Sequence, residues 1–377
     1  MSFDFDVCIR GDGITACALA LALARQGLRV ALDSPAGMPQ GEADVRAYSL
    51  NASARQLLES LTAWPEAAAS PVQRMAVWGD DGGQIGFEGP GYQPLSWIVE
   101  VPALLALLRQ RVAEHSGVRL LDAPPRAELT VVCEGKASRS RDAWGLGFER
   151  QPYDQHALAF RVQHARPHDQ CARQWFVNSG SQATILALLP LGDPHSSAVV
   201  WSLPPLLAQS RLVQDASQLE PVLMQQTAGE LGALSLTSPR AVWPLQSARA
   251  RHWSGTTPDG SAFVLVGDAA HTIHPLAGLG LNLGLDDVAC LAQVLRQRQR
   301  QGRLSGVSDP RLLREYERQR KLALAVVNAA CDGLQTLYAH PSPIARWLRN
   351  TGLSCVNRLD FFKRWTMAQA THLDIGT

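Results

Sequence analysis

The 377-residue sequence predicts an α/β fold, α+β overall: a parallel-sheet domain interrupted by a β-sheet domain, with a helical C-terminal segment. Three observations carry this expectation. The chain opens on a strand, glycine turn, helix and strand; its middle is dominated by strand-like segments; and a second strand, at 261–267, runs into a glycine-rich turn and a long helix. At about 150 residues per domain the length suits two domains.

Taken in order, FDVCIR (5–10) is a short apolar run ending at a glycine turn. Residues 14–26 are rich in Ala and Leu and read as a helix that Gly27 stops, and LRVALD (28–33) reads as the next strand. Residues 52–63 form an amphipathic pattern with Leu57, Leu58 and Leu61 on one side. MAVWGDDGGQIGFEG alternates around a Gly-rich turn and predicts a β-hairpin. A helix is expected over 101–115, an apolar strand in LTVVCEG (129–135), and strands in ALAFRVQ, TILALLPL and SAVVWSLP between 156 and 203. Helices are expected over 216–234 and 281–300, and 309–377 reads as helical with a Pro-rich break at 341–343. The resulting division assigns 1–70, 98–155 and 261–330 to a discontinuous nucleotide-binding domain, 71–97 and 156–260 to a β-rich substrate domain, and 331–377 to the C-terminal segment.

Composition narrows the function classes. Apolar residues are 46% and charged residues 18%, a balance that builds packed cores rather than disorder. The 35 basic and 34 acidic residues leave a net charge of +1, too little to neutralise a phosphate backbone, so nucleic acid is excluded as a partner. Seven cysteines, an odd number with no CxxC pair, read as reduced packed thiols of a cytoplasmic protein. The run ITACALALALA (14–24) has the texture of a secretion signal, but Asp4, Asp6 and Asp12 precede it where such a signal needs basic residues. It also falls short of the roughly 20 apolar residues a spanning helix requires. No transmembrane segment is expected, and membrane contact is at most peripheral.

Two motifs carry chemistry. GDGITA (11–16) fits GxGxxG/A: Gly11 makes the tight turn, Gly13 lets the backbone approach a pyrophosphate, and Ala16 lets helix and strand pack closely. The N–H groups of Ile14 and Thr15 open the helix, whose positive end suits phosphate. Asp33, about 20 residues on, is placed to accept hydrogen bonds from a ribose diol. In the second motif, VGDAAHTIHPLAGLGLNLGLDD (266–287), a strand ends at Gly267-Asp268, and Pro275, Gly278 and Gly280 lead into a helix at Leu281-Asn282. Asp268 suits a sugar hydroxyl, the glycines a flat ring, and the helix N-terminus the negative charge that develops on a reduced flavin.

These two motifs, with DVRAYSLNASARQLL (44–58), resemble the group A FAD-dependent aromatic monooxygenases. YDQHALAFRV (153–162), ALLPL (187–191), VVWSLP (199–204), YERQR (316–320) and LRNTGL (348–353) are similar to the ubiquinone-biosynthesis hydroxylases within them. The resemblance implies a Rossmann-like domain holding FAD, with NAD(P)H as reductant, O2 as co-substrate, and hydroxylation of a phenolic ring through a flavin C4a-hydroperoxide. By position it places Gly11, Gly13, Ala16 and Asp33 at the AMP and pyrophosphate end, Arg46 beside the flavin, Asp268 at the ribityl end, and Pro275, Gly278, Gly280, Leu281 and Asn282 along the isoalloxazine. Leu188, Pro190, Trp201 and Pro275 are the expected substrate pocket, suited to an aromatic ring with a prenyl tail.

The sequence departs from the resemblance at four places. Glu134-Gly135 stands where the family carries Asp-Gly; the chain is short between Leu121 and Leu129; Val101-Pro102 occupies a position polar in the family; and Leu279 replaces a Gln. Two alternatives therefore stand beside the hydroxylase reading: a non-catalytic or assembly member of a ubiquinone-hydroxylase complex, and an FAD hydroxylase of a soluble phenol. His271 and His274 are three apart, but they sit in a loop with no third ligand, so a metal is not expected, and either could instead touch the flavin or substrate. The run RQRQRQGR (296–303) reads as a solvated helix end, and Trp347 and Trp365 as helix-packing residues.

Overall fold

The computed structural model describes residues 3–33, 44–79, 83–89, 91, 93–179, 182–273, 279–300 and 306–339. Pro275, Gly278, His274, Trp347, Trp365 and the break at 341–343 lie outside the described residues.

The chain begins with β1 (Phe5–Arg10), α1 (Ile14–Ala24) and β2 (Val30–Asp33). Every α1 residue except Thr15 is buried, and its many Ala side chains let neighbouring elements pack against it on all sides. Next come β3 (Ala47–Leu50), α2 (Ala52–Ser60), β4 (Ala69–Val72), the hairpin of β5 (Arg74–Trp78) and β6 (Gln84–Glu88), β7 (Ser96–Glu100) and α3 (Val101–Glu114). Asn51 caps α2 by accepting from Ala54 N–H at 2.8 Å, and Thr62, with φ of 56°, turns the chain away two residues after its end. Then follow β8 (Val118–Leu121), β9 (Ala127–Val132) and the short α4 (Arg139–Ala143).

A run of strands and helices builds the middle: β10 (Phe148–His164), β11 (Cys171–Ser179), β12 (Gln182–Pro190), β13 (Ser196–Leu203), α5 (Pro205–Val213), α6 (Ala216–Gln226), β14 (Leu234–Leu236) and β15 (Ala241–Ala250). The helix expected over 216–234 ends at Gln226. Ala228 and Gly229, at φ of 50° and 64°, turn left-handed and the chain leaves for β14. The described chain closes with β16 (Ser254–Thr256), β17 (Ala262–Leu265), the turn Gly267–Ala269, β18 (His271–Thr272), α7 (Leu279–Arg300) and α8 (Pro310–Ala339).

Among the described residues the strands form three sheets. The first runs β16-β17-β9-β1-β2-β8, and all its pairings but β16–β17 are parallel. The second is antiparallel except at β11–β5; it runs β18-β15-β10-β13-β12-β11-β5-β6, with β14 also on β10. The third, β3-β7-β4, was not read from the sequence. β10 also starts eight residues before the expected boundary at 155/156: its first half pairs with Gln246–Ala250 of β15 in the same large sheet. The separate core of the large sheet lies under α5 and α6 and includes Phe160, Trp175, Ala208, Leu219 and Leu223.

Candidate flavin and substrate site

Register decides where the site falls. In the first sheet Arg10 pairs with both Asp33 and Val132, and Val132 pairs with Leu265. Four parallel strands therefore end in one row, and the chain leaves them at Gly11, at Asp33 itself, at Cys133-Glu134 and at Val266-Gly267. β1 is where the order reverses, with β2 on one side and β9 on the other. A crevice at the carboxyl ends of parallel strands, at such a reversal, is the binding position of open α/β sheets.

Gly11 is forced by this geometry. Its φ is 115°, and a Cβ there would stand 2.6 Å from the Cys133 carbonyl oxygen. Gly13 caps α1 with no side chain on its first-turn N–H groups. A Cβ on Gly13 would meet nothing within 4 Å, so the end of α1 opens on free space. Ala16 and Ile14 pack into the core. Thr15 joins the two motifs: a Cβ on Gly267 would lie 3.2 Å from Thr15 Cγ2, and one on Gly284 of α7 would lie 3.1 Å from Thr15 Oγ1.

Asp33 ends β2 with Oδ2 3.6 Å from Arg10 Nε, while the buried Oδ1 has no hydrogen-bond partner among the described residues. Burial pushes the Asp33 carboxyl above its ordinary value, and Arg10 opposes the rise. Arg10 also lies 3.8 Å from Glu134 Oε1 and over the Trp144 ring. The Glu134 carboxylate caps α4, accepting from Ser138 Oγ at 2.6 Å, Ser140 N–H at 2.8 Å and Ser140 Oγ at 2.7 Å. The extra methylene of Glu thus reaches a fixed set of donors. Asp12, in the glycine turn, bonds Arg109 Nη2 of α3 at 2.6 Å.

Arg46 is clamped by Asp44, with Nε–Oδ1 at 2.8 Å and Nη2–Oδ2 at 2.6 Å, and hydrogen-bonds Tyr48. Burial raises the Tyr48 phenol, and Arg46 and Asp268 both act on it. Asp268, half-buried at the middle of its turn, is pushed up by burial and held back by Lys136, His271 and Arg46. His271 is buried, with Nε2 2.7 Å from Asp287 and its ring stacked on Trp253 at 4.9 Å. Asn282 donates to the Ser49 carbonyl at 2.7 Å and accepts from Asn51 N–H at 2.9 Å, tying α7 to β3 and α2. Leu281 packs against the core, and a Cβ on Gly280 would meet nothing within 4 Å.

The expected pocket residues Leu188 and Trp201 lie in the core beneath α5 and α6, on the face of the large sheet that also carries Phe160 and Trp175. Pro190, two residues beyond Leu188, shares that face of β12. Strand alternation puts Ala157, Ala159 and Arg161, Ile185, Ala187 and Leu189, and Ala198, Val200 and Ser202 on the opposite face. Leu189 and Ala198 pack with Ile98 and Val72 of the third sheet, and Arg161 Nη1 bonds Glu100 at 2.6 Å, so this opposite face is the one turned toward the first half of the chain. Across it Phe176 pairs with Ile185, Ile185 with Ser202, Ser202 with Ala157, and Ala157 with Trp243. Ser202 and Ala157 lie at the centre of this row and the aromatic Phe176 and Trp243 at its edges.

Sequence reading also missed Arg10, Tyr48, Arg141 and Asp287. Asp287 carried little signal, because it sits in the third turn of α7 and its backbone donor, Gly267 N–H, comes from another element. Arg141 carried none, lying in the charged string RSRD. Among the described residues no group of three or more metal-capable side chains converges, and no helix is long and apolar enough to cross a membrane. Cys8, Cys17, Cys133 and Cys171 are buried thiols, and burial pushes Cys8 and Cys17 up to about 12, which keeps them protonated and inert.

The donor set fits FAD: an uncapped helix end facing open space, a carboxylate oxygen at the end of β2 with no partner among the described residues, and two glycine motifs meeting at Thr15. Parallel strand ends with two glycine motifs, joined in one chain to a large antiparallel sheet, define the class, and the protein is an FAD-dependent monooxygenase. The chain belongs to the family described as FAD binding domain, whose pattern matches residues 119–330, more than half its length. It is 28% identical to ubiquinone hydroxylase UbiL of Rhodospirillum rubrum, over 97% of this chain and 89% of that one. It is 28% identical to 3-demethoxyubiquinol 3-hydroxylase of Escherichia coli, over 98% of each. Among solved structures, p-nitrophenol 4-monooxygenase PnpA of Pseudomonas putida shares the fold at a TM-score of 0.72, with 16% identity and 98% of both chains covered. P. aeruginosa PqsL in complex with 2-aminobenzoylacetate does so at 0.69, with 21% identity, covering 84% of this chain and 91% of that one.

Proposed function

We propose that the chain hydroxylates a phenolic ring bearing a prenyl tail, a ubiquinone precursor, with NAD(P)H as reductant and O2 as co-substrate. The observation that carries this reading is the meeting of both glycine turns at Thr15, at one row of strand ends and beside an apolar sheet face floored by Ala157, Ala187, Val200 and Ser202. The likeness to two ubiquinone-pathway hydroxylases over nearly the whole chain supports the substrate class. A prenylated substrate partitions into lipid, which supports, as part of this reading, peripheral contact with a membrane surface and partners among the proteins of that pathway.

FAD, when bound, supplies the redox and oxygen chemistry. The chain's own residues then have distinct tasks. The N–H groups that open α1 hold the pyrophosphate, and Asp33 accepts from the adenosine ribose. Asp268 would accept from the ribityl chain, while Gly280, Leu281 and Asn282 would border the ring. The sheet face orients the phenol and keeps water from the reacting carbon. The tight capping of α4 by Glu134 supports the catalytic reading over the assembly one, because the departure from Asp is absorbed by Ser138 and Ser140.

The test is NADPH oxidation by FAD-loaded protein with a prenylated phenol and with a small soluble phenol. The expected result is stimulation by the prenylated ring and a product heavier by one oxygen. Stimulation by the small phenol alone would move the protein to soluble-phenol chemistry, and a protein that stays colourless with added FAD would end the flavin reading.

A further inference from the structure

Two buried charged side chains grip the Gly267–Ala269 turn from opposite ends. On its N-terminal side, Asp287 is 0% exposed and its Oδ2 accepts from Gly267 N–H at 2.8 Å. The same carboxylate accepts from His271 Nε2 at 2.7 Å and Arg320 Nε at 2.6 Å, while Arg320 Nη2 donates to the Leu283 carbonyl at 3.1 Å. Burial pushes the Asp287 carboxyl up, but His271 and Arg320 outweigh it and hold it below the ordinary carboxylate range. On the C-terminal side, Arg141 is also 0% exposed, and its Nη1 donates to the Ala269 carbonyl at 3.1 Å.

Arg141 is an unusual cation. The carboxylate beside it, on Asp142, is 3.5 Å away and largely exposed. Its remaining bonds go to backbone and ring: Nη2 donates to the Lys136 carbonyl at 2.8 Å, and the guanidinium lies 3.6 Å from the Phe148 centroid. Burying a guanidinium without a buried anion is costly, and it persists only where fixed dipoles and an aromatic face replace the lost water. Here those dipoles belong to two turns that leave neighbouring strand ends, Glu134–Lys136 after β9 and Gly267–Ala269 after β17. The planar fork of Arg suits two separate carbonyls, which a Lys ammonium cannot span in the same way.

We propose that Arg141 and Asp287 are positioning residues: they hold the Asp268 turn between a buried cation and a buried anion, and so fix the Asp268 carboxylate against the flavin without touching it. This rests on the reading of Asp268 as a flavin ligand. Neither charge faces the crevice. Each acts on a backbone group adjoining Asp268, one through Gly267 N–H and the other through Ala269 C=O, so the turn cannot tilt without breaking a charge-assisted bond.

The experiment measures FAD affinity of apoprotein by flavin fluorescence, together with thermal unfolding of the apoprotein, for Arg141→Met, Arg141→Lys, Asp268→Asn and the double variant Arg141→Met/Asp268→Asn. Arg141→Met is expected to weaken FAD binding about 10- to 100-fold, the range for removing an outer partner of a ligating group, with Arg141→Lys between it and the wild type. In the Asp268→Asn background the Arg141→Met loss is expected to shrink to about twofold, because the clamp works through that carboxylate. Folded Arg141→Met or Arg141→Lys protein with wild-type affinity would overturn the clamp, as would an Arg141→Met loss undiminished in the Asp268→Asn background. Asp268→Asn binding FAD as tightly as wild type would instead overturn the assignment of Asp268, whatever Arg141 does. If Arg141→Met does not fold, the Arg141→Lys comparison alone decides.

Discussion

The parallel sheet and the large antiparallel sheet contribute to the site in opposite ways. The parallel sheet works at its ends: four strands stop in one row, and their turns carry Gly11, Asp33, Glu134 and Asp268. In the proposed site the antiparallel sheet works across a face, where Ala157, Ala187, Val200 and Ser202 come from three strands. An end-on site is written in short motifs, because each turn is a contiguous string with its own backbone demands. A face-on site is written in alternation and register, so a shift of one residue turns a pocket into a core.

That contrast is broken most sharply at Gly11. Gly11→Ala combines left-handed strain with a Cβ 2.6 Å from the Cys133 carbonyl, and about 2–6 kcal/mol of stability should be lost. Thermal melts and FAD content of the purified variant check this; a wild-type melt would mean the turn is not the constraint it looks to be.

A pair of neighbours on β12 sharpens the face argument. Leu188→Ala opens a cavity under α5 and α6 and should cost about 2–5 kcal/mol in chemical unfolding while leaving KM for the ring substrate unchanged. Ala187→Leu, one residue away on the other face, should raise that KM about tenfold with little change in the melt. The reverse pattern in the two variants would restore Leu188 to the pocket.

At the strand ends, Asp33→Asn removes the charge from the carboxylate whose Oδ1 has no hydrogen-bond partner among the described residues. FAD affinity should fall about 10- to 100-fold, the loss of a hydrogen bond to a charged group, while turnover at saturating FAD is retained. Equilibrium titration of the apoprotein reads this directly, and unchanged affinity would place the ribose elsewhere.

The smallest effect lies behind the parallel sheet. Burial pushes the Asp286 carboxyl from 3.8 up to about 6, against the pull of Arg320 3.9 Å away. A carboxyl raised on folding is free of penalty below about pH 4, and its stability deficit grows as pH rises to about 6. The rise bounds that deficit at about 3 kcal/mol, and partial exposure discounts it to about 1. Asp286→Asn should therefore match wild type at pH 4 and exceed it at pH 7 in urea midpoints. Equal midpoints at both values would show the carboxyl to be well solvated.

The sequence by itself determined the βαβ opening, both glycine turns, the acids at Asp33 and Asp268, and the apolar strands of the middle. Each depends on neighbours in the chain: a left-handed glycine, a helix stop, an apolar run. Only the tertiary structure decided that β10 crosses the expected boundary, that Leu188, Pro190 and Trp201 face the α5–α6 core, and that Arg141 is a buried staple rather than one charge in RSRD. Those outcomes depend on which strand lies beside which and at what offset. Pairing energies between residues far apart in the chain set that offset, and no local pattern records it.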